Sequence, residues 1–207
     1  EFRPGGVRLG RHELGRETIW AERPQGVPSA NLMGVDLIAR RQGIGDLLAD
    51  GTRRAAEKIG GDARYFAMHV KGQELPMHDP RAFLGLGIAY VTGPRGACHL
   101  MPDVYMLDMG VEIPEFNVVS SDRHAEAGKA ENVAKFQDYR SVYNALVLCH
   151  FASLGAERVL GLINAATGFG LDFTQLQAVG ERIFTLKRMI NLKLGLKMDQ
   201  ERLPPIL

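Results

Sequence analysis

Thr174-Gln-Leu-Gln-Ala-Val-Gly-Glu-Arg-Ile-Phe-Thr-Leu-Lys-Arg-Met-Ile-Asn-Leu-Lys-Leu-Gly195 is the stretch whose reading decides the fold. Leu176, Val179, Ile183, Leu186 and Ile190 recur at alternating steps of three and four, which places them on one face of an α-helix. Thr174 can cap its start, and Gly195 stops it. The stripe reads as a core-facing surface rather than a cofactor box.

Working outward, the same periodicity returns. Ile44, Leu47, Leu48, Ala55 and Ile59 share a face, with Arg53, Arg54 and Lys58 toward solvent and Gly60-Gly61 as the stop, which predicts a helix over 44–59. Asp79-Pro80 reads as an N-cap followed by a first-turn proline, which opens a helix over 80–92 through Phe83, Leu86 and Tyr90. Gly93-Pro94 closes it. A long helix is predicted over 122–151 and a shorter one over 157–167. Residues 101–121 carry Pro102, Gly110 and Pro114 between short apolar runs and read as an irregular connection. Residues 1 to about 30 are broken by Pro4, Gly5, Gly6, Pro24, Gly26 and Pro28 and read as loop. Nothing alternates with a strand period over several runs, so the fold class is all-α.

The chain has 207 residues with 45% hydrophobic content, enough for a real core in one or two compact units. Lysines and arginines nearly balance the acids, for a net charge of +1, so charge offers no argument for nucleic acid or an anionic membrane as partner. No apolar run approaches the roughly 20 residues of a membrane helix. Two cysteines, far apart and without secretory context, do not suggest a disulfide framework, and a reducing cytoplasm is the expected setting.

The chemistry-bearing residues are few. Asp138-Tyr-Arg-Ser-Val-Tyr-Asn-Ala-Leu-Val-Leu-Cys-His-Phe151 reads as a helical run in which Val142, Leu146 and Cys149 share a face, with the thiol at its edge beside His150. A lone cysteine there can be a small core residue or a thiolate offered to a metal. Arg95-Gly-Ala-Cys-His99 follows a predicted helix. Glycines at 93 and 96 let the backbone approach a ligand, and an arginine fork suits phosphates or ring heteroatoms. The alternative is a capping arginine and a buried, hydrogen-bonded histidine. His12, His69, His78 and His124 have no metal-ligand partner at helical or hairpin spacing, which favours structural roles. No Ser-His-Asp order, phosphate-cradling Gly-Lys-Ser/Thr loop or HExxH helix is present.

Several stretches, in order, resemble the tungsten-containing aldehyde:ferredoxin oxidoreductase family. Tyr143-Asn-Ala-Leu-Val-Leu-Cys-His-Phe151 is similar to that family's fourth-cysteine motif, Asp-Ser-Leu-Gly-Leu-Cys-Lys-Phe. Gly43 to Gly60, Val70-Lys-Gly-Gln-Glu-Leu-Pro-Met-His-Asp-Pro-Arg-Ala82, Gly93 to Leu100 and Gly180 to Gly195 extend the likeness over nearly everything after Gly43. The resemblance implies a C-terminal portion: a shortened, loop-rich segment at 1–42, then a helical region at 43–207, in two packed subdomains meeting near 100–121. It implies a tungsten (or molybdenum) bis-pterin and a [4Fe–4S] cluster, both needing an N-terminal part that brings the other three cysteines. Cys149 would be the remaining cluster and metal ligand. Arg95, Asn144, in place of the usual Asp, and His150 would contact the cofactor. His99 would pass protons near the metal.

By the same resemblance, Asn31-Leu-Met-Gly-Val-Asp36 is similar to a pterin-binding stretch, with Asp36 accepting from the ring. Glu17-Thr-Ile-Trp20 is similar to a stretch whose glutamate approaches the metal. A surface acid or helix cap is the alternative for each. The implied reaction is oxidation of a small aldehyde to a carboxylate with ferredoxin as electron acceptor, and a homo-oligomer is a possible assembly. An aromatic acyl-CoA reductase relative and a cofactor-free helical interaction module are the competing readings. On the cofactor reading, Arg95, His99 and Cys149 are expected to converge around one cavity.

Overall fold

The computed structural model describes residues 29–152 and 154–207, and the predicted loop at 1 to about 30 falls mostly outside them. The chain divides into two compact units, 1–58 and 59–207.

In the first unit, α1 (Ser29–Arg40) is followed by α2 (Ile44–Leu48) and α3 (Thr52–Ile59). The helix expected over 44–59 is therefore two helices. The Gly51 N–H bonds back to the Leu48 carbonyl at 3.0 Å, closing a turn in which the apolar face loses its phase. Ala55 is buried, whereas Leu48 is exposed. α2 lies hard against α1: a side chain at Gly45 would meet the Leu37 carbonyl at 2.1 Å.

The second unit opens with α4 (Ala63–Phe66) and a two-stranded antiparallel hairpin, β1 (His69–Val70) and β2 (Gln73–Glu74), pairing His69 with Glu74. Lys71 and Gly72 both have positive φ, the backbone a two-residue hairpin turn requires. Then come α5 (Leu84–Thr92), α6 (Tyr105–Asp108), α7 (Lys129–Ala145), α8 (Ala156–Thr167) and α9 (Phe173–Lys193). The all-α class holds, with this hairpin as the sheet among the described residues.

Three helices have boundaries that differ from those predicted. Asp79-Pro80 does not open α5: the Asp79 carboxylate accepts from the Arg81 N–H at 2.9 Å and its carbonyl from the Ala82 N–H, forming a turn, and the helix begins at Leu84. The helix expected over 122–151 is shorter at both ends, because Gly128 and Val147 take left-handed backbone at φ 71° and 57°. Asp172, not Thr174, caps α9, in a reciprocal capping box with Gln175.

The core of the second unit joins Leu86 and Tyr90 of α5, Phe136 and Tyr143 of α7, Val159 of α8 and Leu176 of α9. α7 and α9 approach so closely that a Cβ on Gly180 would lie 2.1 Å from the Asp138 carbonyl oxygen. The predicted stripe on α9 is core only in its first half. Leu186 and Ile190 are 56% and 48% exposed, because helical spacing buries a face only where another element lies opposite.

Candidate functional site

Site residues of the second unit come from the connection before α5, the loop after it, α7, and the turn following α7. Arg95-Gly-Ala-Cys-His99 is held by backbone contacts rather than by its own side chains. Lys71 Nζ donates to the carbonyls of Val91 at 2.5 Å and Gly93 at 2.8 Å, and Asn191 of α9 donates to the Pro94 carbonyl at 2.6 Å. Gly96, at φ 85°, sits where a Cβ would meet the Val70 carbonyl at 2.2 Å, so only glycine fits. Lys71 is itself buried and paired with Glu201 at 3.1 Å, and Glu201 also takes both guanidinium nitrogens of Arg188. Hairpin, loop, α9 and C-terminal tail thus form one latch.

Beyond this loop lies a polar cluster centred on Asp103. The residue is 5% exposed, takes left-handed backbone at φ 52°, and its N–H donates to the His99 carbonyl at 3.1 Å. Arg140 Nη2 donates to Asp103 Oδ2 at 2.7 Å. The Arg140 guanidinium lies over Phe136 and Tyr143, its neighbours one helical turn away, at 5.2 and 4.8 Å. His150 Nδ1 stands 3.9 Å from the same carboxylate, too far for a hydrogen bond, and its ring faces Tyr143. Asn144 Nδ2 donates to the Met101 carbonyl at 3.3 Å, which ties α7 to the loop.

His99 is half-buried, stacked on His78 and tilted against Tyr105. Burial first, and His78 second, hold its pKa below the ordinary histidine range, while Asp103 pulls the other way. Tyr105 is pushed upward by burial and then by the Asp103 carboxylate.

Cys149 does not end a helix. α7 stops at Ala145, and the thiol sits exposed in the connection before a 3-10 turn at His150–Ala152. Through His150 the turn after α7 approaches the Asp103 carboxylate, and the Asp103 N–H bonds to the His99 carbonyl, although the two segments are far apart in sequence. Arg95 is exposed on its loop. Asp36 lies in the first unit, on the surface of α1, and pairs with Arg40 at 2.9 Å. Glu17 lies outside the described residues.

Sequence reading missed Asp103, Arg140 and the His78–His99 stack. No spacing signals them: the partners are 21 to 37 residues apart and meet only through the fold. Three buried nitrogens of this cluster, His78 Nδ1, His150 Nδ1 and Arg140 Nε, have no hydrogen-bond partner. Among the described residues no group of three or more His, Cys, Asp or Glu could hold a metal ion, and no helix is long and apolar enough to cross a membrane.

A helical scaffold carrying a half-formed polar site matches a known class. The family model "Aldehyde ferredoxin oxidoreductase, domains 2 & 3" matches residues 21–207. The chain belongs to this family. It is 39% identical over 170 residues to the tungsten-containing aldehyde ferredoxin oxidoreductase of Pyrococcus horikoshii, covering 81% of this chain and 27% of that protein. The Thermococcus kodakarensis enzyme of the same name is 35% identical, at 83% and 28% coverage. An aliphatic sulfonate oxidoreductase WOR-like subunit of Pyrococcus furiosus is 30% identical, at 89% and 26%. The chain thus spans about a quarter of the length of these relatives. In fold it is similar to a chain of the BamBC active-site complex of benzoyl-coenzyme A reductase, solved with 1,5-dienoyl-CoA, at TM-score 0.64 and 21% identity, over 93% of this chain and 35% of that one.

Proposed function

We propose that this chain is the C-terminal part of an enzyme that oxidises small aldehydes to carboxylates and passes the electrons to ferredoxin. The supporting observation is the convergence on Asp103 of His99, Arg140 and the turn that carries Cys149. Burying that much polarity is costly unless it serves a ligand, and a cofactor-free helical module would have no use for it. The relatives at 35 to 39% identity are aldehyde oxidoreductases, whereas the likeness to benzoyl-CoA reductase is one of fold, so aldehyde oxidation ranks ahead of acyl-CoA reduction.

The residues present fit a polar cofactor seated on this face. The unpartnered nitrogens of His150 and Arg140 are hydrogen-bonding capacity left for it, and an exposed thiol is the soft donor that iron prefers. When bound, a tungsten (or molybdenum) bis-pterin would supply two-electron oxidation chemistry and a [4Fe–4S] cluster single-electron relay. Cys149 would contribute one cluster thiolate, and the N-terminal part the other three. His150 and Asn144 would orient the pterin without adding charge from the asparagine. Arg95 would offer its fork to the pterin phosphates. His99, held neutral, accepts a proton at a ring nitrogen as water adds to the substrate carbon. By resemblance, Glu17 would be a catalytic group and Asp36 would accept from a pterin ring.

The test is made in the longer protein, purified anaerobically. Tungsten or molybdenum together with iron is expected by elemental analysis. Cys149→Ser is expected to lose the cluster absorbance, because a harder oxygen ligand is poorly matched to iron. His99→Ala keeps that absorbance and lowers aldehyde turnover by roughly 10²- to 10⁴-fold, the usual worth of a general acid–base group. A fully active His99→Ala enzyme, or an unchanged cluster in Cys149→Ser, overturns the reading.

A further inference from the structure

His78 and His99 flank α5 in sequence, yet their imidazole rings stack at 4.3 Å with 17° between planes. Tyr105 leans on both, 5.0 Å from His78 and 6.4 Å from His99. The backbone of His78 is pinned, because the hydroxyl of the fully buried Tyr90 donates to its carbonyl at 2.8 Å. His78 Nδ1 is buried without a hydrogen-bond partner. A phenylalanine would make the same stack without stranding a polar atom, so the imidazole contributes something besides packing.

We propose that His78 is a positioning residue for His99: its ring fixes the plane of the His99 imidazole and, as a second base held face to face, keeps that imidazole neutral and able to take up a proton. This rests on His99 being the proton-handling group. A second imidazole stacked face to face on His99 in a half-buried setting disfavours the charged form of His99. The lowered pKa of His99 agrees in direction.

The other groups facing the pair are few. Asp79, next to His78, is committed to Arg81 at 2.5 Å. Cys98 adjoins His99, and its sulfur accepts the Met101 N–H at 3.4 Å. Asp103 opposes the effect from the loop before α6, and Arg140 from α7 offsets it at 2.7 Å. His150 stands 3.9 Å from the Asp103 carboxylate.

The experiment is an NMR titration of the His99 Cε1–H resonance in this chain, as wild type, His78→Phe and His78→Ala. The phenylalanine keeps a ring in the stack and removes the second base. Its His99 midpoint is expected to move upward from the wild-type value, and that of His78→Ala further, with broadening of the ring signal. A midpoint unchanged in His78→Phe overturns the proposal, since packing alone predicts that result; this comparison decides even where His78→Ala does not fold. A second measurement separates this failure from that of the functional reading. In the longer, cofactor-loaded protein, the acid limb of the pH–turnover profile for acetaldehyde is expected to move to higher pH in His78→Phe. A shifted NMR midpoint with an unmoved acid limb removes His99 from the proton step and overturns the reading, with the ring pairing left standing.

Discussion

Asp103 shows how much one residue can hold together. Its left-handed backbone aims a buried carboxylate at Arg140, and its N–H closes the loop back onto His99. Removing the carboxylate strands a guanidinium that is 8% exposed and already has an unpartnered Nε. Asp103→Ala is therefore expected to lower the unfolding free energy by about 3 kcal/mol, the low end for breaking a buried pair. Asp103→Asn, which tolerates the left-handed region and can still accept a hydrogen bond, should cost visibly less. Urea titration of both variants checks this; equal losses would show that the charge pair does not matter.

Asp138 on α7 behaves oppositely. Burial, opposed by its hydrogen bond from Gln177 and reinforced by Glu181, raises its pKa to about 6. The folded state thus holds a proton that the unfolded chain has already released. Stability contributed by this site is present below about pH 4 and is lost as pH rises toward 6. Asp138→Asn escapes that loss, and its amide can also donate to the unpartnered Gln177 Oε1. After discounting for partial solvent screening, a gain of about 1 kcal/mol is expected at pH 7.5 and none at pH 4. Melting curves at the two pH values decide it.

Among the elements, α9 does two jobs. Leu176 and Gly180 hold it against α7, while Asn191 and Arg188, further along, hold the Arg95 loop and the C-terminal tail. Gly180→Ala drives a methyl group into the Asp138 carbonyl, a backbone atom that cannot step aside. A loss of about 3 kcal/mol is expected, the upper end for overpacking, and a fall in Tm of roughly 6–12 °C for a chain of this size. The latch is tested differently. Glu201→Ala leaves Lys71 buried without its carboxylate, and burial already pushes that ammonium downward. Faster hydrogen exchange is expected at the amides of Gly96 and Cys98, which bond to Gly93 and Gly96 within the loop. Unchanged exchange there would show that the loop holds itself.

At the scale of the whole molecule, this chain carries two cysteines where a [4Fe–4S] cluster takes four thiolates. Anaerobic reconstitution of the chain by itself with iron and sulfide is expected to leave no stable cluster absorption, whereas the longer protein should retain one. Stoichiometric cluster in the isolated chain would refute the role given to the N-terminal part.

What the sequence determined by itself was local or ordered along the chain. Period and punctuation placed α5, α8 and α9 to within a few residues, because hydrophobic spacing, caps and glycine stops act over one or two turns. The ordered motifs through Cys149 and Arg95-Gly-Ala-Cys-His99 pointed to the family that residues 21–207 match. Tertiary structure decided the rest. The left-handed backbone at Val147 ends α7 early and sets Cys149 free, and Leu186 and Ile190 stay exposed because nothing in the described residues lies over them. Asp103 and Arg140, like His78 and His99, come together only when α5, α7 and two loops fold together. A hydrophobic period reports which face of an element is buried, but a polar cluster is held by contacts across the fold, and those leave no spacing in the sequence.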